Sequence, residues 1–217
     1  TIQSTSTVTT TIAGATDTLS GLNTLPYVFT NASTGTSVGP TAQTQTAFSG
    51  LLVNTRYSFL ATVSDVATNS SSTATVSAYT LANPPSNLTA SGASTSSILT
   101  AWSSNGNPTG TEFNVLNLTT GASSSWVTST SFTFTNLSCG TSYTFEVSAR
   151  NGDGTLTASS SQVFGQVSNC EPSASNLGPA NRVNGSWTNN VQPQLTFDLA
   201  DPDATDTVRY QIQISTT

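Results

Sequence analysis

Tyr143-Thr144-Phe145-Glu146-Val147-Ser148-Ala149 places an apolar residue at every odd position and a polar one at every even position. Side chains of a strand point alternately to its two faces, so strict alternation marks a strand with one buried and one wet face. Tyr57, Phe59, Ala61 and Val63 repeat the pattern 86 residues earlier. The same offset carries Tyr27, Phe29, Asn31, Thr34 and Gly35 onto Phe113, Val115, Asn117, Thr120 and Gly121. It also carries Phe48, Leu51 and Thr55 onto Phe134, Leu137 and Thr141. A fixed period of this length signals two copies of one module. We therefore expect domains at residues 1–82 and 83–170.

Asn83-Pro84-Pro85 interrupts the pattern between the copies. Two prolines favour extended, stiff chain, so a short semi-rigid linker is expected. Further strands are expected at Ile98–Trp102, Phe113–Asn117, Phe132–Phe134 and Val163–Val167. Short strands punctuated by Asn-Gly, Gly-Asp-Gly and Asn-Pro indicate an all-β sandwich.

Composition narrows the function. Charged residues are 6% of the chain, against about 25% in ordinary domains. The four positive charges are Arg56, Arg150, Arg182 and Arg209; the net charge is −6. Nucleic-acid binding needs Lys and Arg to neutralise phosphates, so it is excluded. A polybasic membrane contact fails likewise, and no apolar run reaches the roughly 20 residues of a membrane span. With no His there is no base for a nucleophilic triad. Glu112, Glu146 and Glu171 stand alone, without the second carboxylate that glycoside hydrolysis uses.

Trp102 and Phe113 sit where fibronectin type III domains keep aromatic core residues on the second and third strands. Leu137-Ser138-Cys139-Gly140-Thr141-Ser142-Tyr143 resembles the Leu-x-Pro-Gly-Thr-x-Tyr corner of that family, with Cys for Pro. Leu51 to Tyr57 is the matching stretch of the first copy. That copy has no second-strand Trp; Val8, Thr10 and Ile12 stand in its place. The resemblance covers about residues 1–170. It implies tandem fibronectin type III-like (immunoglobulin-like) β-sandwiches in an extracellular setting. It also implies tyrosine corners at Tyr57 and Tyr143, each hydroxyl bonding backbone a few residues upstream. It implies no particular ligand.

Cys139 and Cys170, 31 residues apart, are the only cysteines. In an extracellular sandwich the corner and the end of the last strand meet at one pole, so a disulfide is expected.

Residues 171–217 leave the register. Leu195, Phe197 and Leu199 alternate with polar residues, as do Val208, Tyr210, Ile212 and Ile214, giving two expected strands. The segment resembles the opening of an immunoglobulin-like repeat. Two readings stay open: the start of a further domain, or strands that complete a sheet in a neighbouring subunit. Asp198, Asp201, Asp203 and Asp206 cluster between the two strands as a calcium candidate, against a plain solvated turn. No other cofactor is expected.

Six Asn-x-Ser/Thr sequons occur, at Asn31, Asn69, Asn87, Asn117, Asn136 and Asn184. Eighteen Asn in a chain about one-third Ser and Thr yield as many by chance. Asn31 and Asn117 are the better glycosylation candidates, because they are equivalent in the repeat. Trp126 and Trp187 lack a core role in the register and are candidates for stacking on glycans or for packing against a neighbouring domain. No signal peptide is visible, so secretion implies a mature or excised segment. The sequence points to a non-catalytic stalk, adhesin shaft or filament subunit of a surface protein. The alternative is an accessory, carbohydrate-binding region of a secreted polysaccharide-degrading enzyme.

Overall fold

The computed structural model describes residues 2–71, 73–178, 196–202 and 207–211. Among the sequence candidates, Asn184, Trp187, Asp203 and Asp206 lie outside this set.

The described residues form antiparallel sheets and no helix. In the first sandwich, β1 (Ile2–Gln3), β2 (Val8–Thr11) and β5 (Gln45–Phe48) make one sheet, in the order β1-β2-β5. The other sheet holds β3 (Leu22–Asn31), β4 (Thr36–Thr41), β6 (Arg56–Asp65) and β7 (Ala74–Tyr79), in the order β4-β3-β6-β7. In the second sandwich, β8 (Ser86–Ser94), β9 (Ser97–Ser103) and β11 (Ser131–Phe134) face β10 (Glu112–Asn117), β12 (Ser142–Arg150) and β13 (Val163–Gln166). Each pair of sheets encloses its own core. Phe29, Phe48, Tyr57 and Phe59 fill the first. Trp102, Phe113, Phe134, Tyr143 and Phe145 fill the second. Burying such a side chain stabilises by about 1.5–3 kcal/mol.

The alternating stretch forms β12, whose odd positions from Tyr143 to Ala149 are buried. The repeat survives as register. Asn31 pairs with Phe59, and Asn117 with Phe145. The second strand departs from the offset by four residues. Val8 faces Phe48 as Ile98 faces Phe134. The Ile12 amide then bonds the Thr44 carbonyl (2.8 Å) just as that of Trp102 bonds Thr130 (3.0 Å). Ile12 therefore holds the place of the Trp, and Ala15 packs beside it.

Ala82 is buried in the second core, one residue ahead of the expected boundary. The linker is held by side chains as well as by its prolines. Asn83 donates its amide to Asn107 Oδ1 (2.8 Å), and Asn107 Nδ2 donates back to the Asn83 carbonyl (2.8 Å). Asn83 Nδ2 reaches the Asn105 carbonyl (2.9 Å), and Asn105 Nδ2 reaches that of Pro84 (2.8 Å). Asn105 and Gly106 take φ of 54° and 78°, a left-handed pair that Asn and Gly adopt readily.

Beyond Cys170, β14 (Ser173–Gly178) pairs with β15 (Thr196–Ala200) across a register shift. β15 contains Phe197 and Leu199 as expected. β14 was not expected: its sequence lacks alternation, and Asn176 is left-handed at φ 52°. The expected strand at Val208 does not form over Val208–Gln211, and Ile212 and Ile214 lie outside the described residues. Tyr210 instead packs edge-on to Phe197, ring centres 5.4 Å apart.

Candidate functional site: the joint between the sandwiches

The site grows from two corners. Tyr57 buries its ring while its hydroxyl accepts the Leu52 amide (2.9 Å). Tyr143 does the same for the Ser138 amide (2.9 Å). Each corner turns through a left-handed residue, Asn54 at φ 43° and Gly140 at φ 66°. Here the copies differ. Gly140 carries no side chain, whereas Asn54 points across the joint. Its Nδ2 donates to Thr111 Oγ1 (2.8 Å), and its Oδ1 accepts the Gly152 amide (3.0 Å). One side chain thus grips two loops of the next sandwich.

Two further bonds cross the joint. The Tyr79 amide donates to Asp153 Oδ2 (2.9 Å). Buried Asn151 donates its Nδ2 to the Thr80 carbonyl (3.2 Å), while its Oδ1 accepts the amides of Asp153 (3.1 Å) and Thr155 (2.8 Å). Gly152 makes room here for the Tyr79 ring. A Cβ at this position would fall on the Tyr79 ring.

Trp126 stands beside the joint with one face covered. The Arg150 guanidinium lies 4.3 Å from its ring centre. Arg150 Nε also donates to Glu112 Oε2 (2.6 Å). That hydrogen bond, helped by the charge of Arg150, holds the Glu112 carboxyl below its ordinary range. Of the two roles considered for Trp126, glycan stacking or packing against a neighbouring domain, the structure shows one ring face taken by Arg150.

Cys139 and Cys170 form a disulfide, which ties the chain leaving the second sandwich to that sandwich's own corner. The glycosylation expectation needs a larger correction. Asn31 and Asn117 are wholly buried. Their Oδ1 atoms cap the following turns, accepting amides of Ser33 and Thr34 in one copy and of Thr119 and Thr120 in the other. Their Nδ2 atoms, where a glycan would attach, are buried without a partner. Their equivalence reflects a shared turn. Asn69, Asn87 and Asn136 are exposed, although Asn69 Nδ2 donates to Asp65 Oδ2 (2.7 Å). That bond holds the Asp65 carboxyl below its usual range.

In the acidic segment Asp198 Oδ2 accepts Asn176 Nδ2 (2.6 Å). Among the described residues no group of three or more His, Cys, Asp or Glu gathers in a way that could hold a metal, and no helix is long and apolar enough to cross a membrane.

Residues 83–166 match the family described as Fibronectin type III domain, so one such domain is present in the chain. Three solved structures of known proteins resemble it more distantly. A two-domain fibronectin type III segment of chicken tenascin is 16% identical, with 76% of this chain and 93% of that one covered and a TM-score of 0.43. The FN1–FN3 domains of chicken CNTN1 are 16% identical over 76% of this chain and 61% of that one, with a TM-score of 0.37. A family 28 exopolygalacturonase of Yersinia enterocolitica is 18% identical over 40% of this chain, with a TM-score of 0.33. The chain spans 20% of that enzyme's length. No curated protein matches.

Proposed function

We propose that this chain is a non-catalytic spacer of an extracellular surface protein, a stalk or filament segment that holds what it carries at a set distance and direction. The joint carries this reading. Asn54, Asn151 and Asp153 bond across it, and Asn83 and Asn105 fix the linker. Directional bonds at a partly buried contact restrict bending, where a bare linker would leave it free. The disulfide supports an oxidising compartment.

In this reading the last segment joins chains. Among the described residues β14 and β15 form a two-stranded sheet, and two strands alone are marginal in water. A strand from a second copy would extend that sheet. Electron microscopy of the native material tests both halves of the proposal. Straight filaments with a fixed axial repeat support a polymer joined through residues 171–217. Single stiff beaded rods support a stalk. Freely bending beads at the 82–83 joint would overturn the spacer reading.

A further inference from the structure

The joint leaves a crevice on one side, with a volume of about 280 Å³, walled by Asn54 and Tyr79 of the first sandwich and by Thr109, Glu112 and Arg150 of the second. That volume is just below the roughly 300–1,000 Å³ range of ligand sites, which favour boundaries between domains. Its polar groups are only half used. Arg150 spends Nε on Glu112 and its flat face on Trp126. Its two terminal nitrogens, Glu112 Oε1 and the Tyr79 hydroxyl make no hydrogen bond to the protein among the described residues.

We propose that this crevice binds the terminal unit of a neutral saccharide. The chemistry selects the class. Arg150 offers donors only, and the Glu112 carboxylate offers acceptors only. A ligand carboxylate would satisfy Arg150 but face Glu112 and nearby Asp153 with like charge. An ammonium group would satisfy Glu112 but give Arg150 nothing to bond. Adjacent hydroxyls serve both at once, one donating to the carboxylate and the next accepting from the guanidinium. Stacking on Trp126 and the bond to Glu112 hold the guanidinium in place before a ligand arrives, which lowers the ordering cost of binding. The site takes one wall from each sandwich, so it exists only while the joint is closed. It is independent of the spacer reading, which stands whether or not the crevice is filled.

The test is amide and Arg Nε–H shift mapping of the intact chain by NMR, titrated with methyl glycosides of glucose, galactose and mannose. Saturable shifts at Gly110, Gly152 and Arg150 with at least one sugar are expected. Glu112→Gln should weaken that binding about tenfold, the loss of one charge-assisted bond. Absence of saturable shifts at these residues with all three sugars would overturn the proposal. So would binding that Glu112→Gln leaves unchanged.

Discussion

Asn31 and Asn117 show how much one side chain does in these sandwiches. Each closes a turn with its oxygen and leaves a buried N–H₂ unpaired. In a host that glycosylates, fragment sequencing of glycopeptides from a non-tryptic digest should find sugar on Asn87 or Asn136 and none on Asn31 or Asn117. Tyr143→Phe removes one hydroxyl and leaves the Ser138 amide without its acceptor. The expected loss is about 1–2 kcal/mol, read from urea unfolding. Glu112 is a pH-dependent contact. Bonding to Arg150 lowers its folded pKa, so its contribution is present above the unfolded value of about 4.3 and is lost as pH falls through the folded one. Carboxyl carbon NMR should place the Glu112 midpoint below that of a free Glu side chain. A midpoint at or above it would contradict the ion pair.

Strands differ in how plainly the sequence announces them. β12 carries unbroken alternation, and β6 alternates except at Leu60, because their inner faces fill the two cores. β14 has no such face, and its left-handed Asn176 and register shift leave nothing periodic to read. The corners were legible from Leu51 to Tyr57 and from Leu137 to Tyr143, and so was the pairing of Cys139 with Cys170. The joint was not. Searching the repeat for identity finds what the copies share, whereas the joint sits where they differ, at Asn54 against Gly140. Comparing mismatched positions would have raised Asn54, and Asn151-Gly152 beside it. Chain-entropy reasoning assigns the disulfide about 3–4 kcal/mol for its 31-residue loop. Calorimetry under reducing conditions should therefore lower the melting of the second sandwich and leave the first unchanged.

Across the whole molecule, Asn54 separates stability from shape. Asn54→Gly, which keeps the left-handed φ of the corner, should cut both of its bonds to the second sandwich while leaving each core intact. Residual dipolar couplings measured on both sandwiches should then no longer fit one common alignment, although unfolding of either shifts little. A single shared alignment in the variant would mean that Asn151, Asp153 and the linker asparagines suffice. Gly152→Ala should act more strongly, because the added methyl drives the Tyr79 ring out of its place.

The Cys139–Cys170 bond also decides how the chain would yield if its two ends were pulled apart. Tension entering at Asn83 can unravel the second sandwich only as far as Cys139 before it crosses the sulfur bridge to Cys170. Everything between, β12 and β13 included, stays slack in a closed loop. At roughly 3.5 Å per extended residue, 31 residues amount to about 110 Å of length that cannot be paid out while the bridge is intact. An oxidised tether would stop short where a reduced one keeps lengthening.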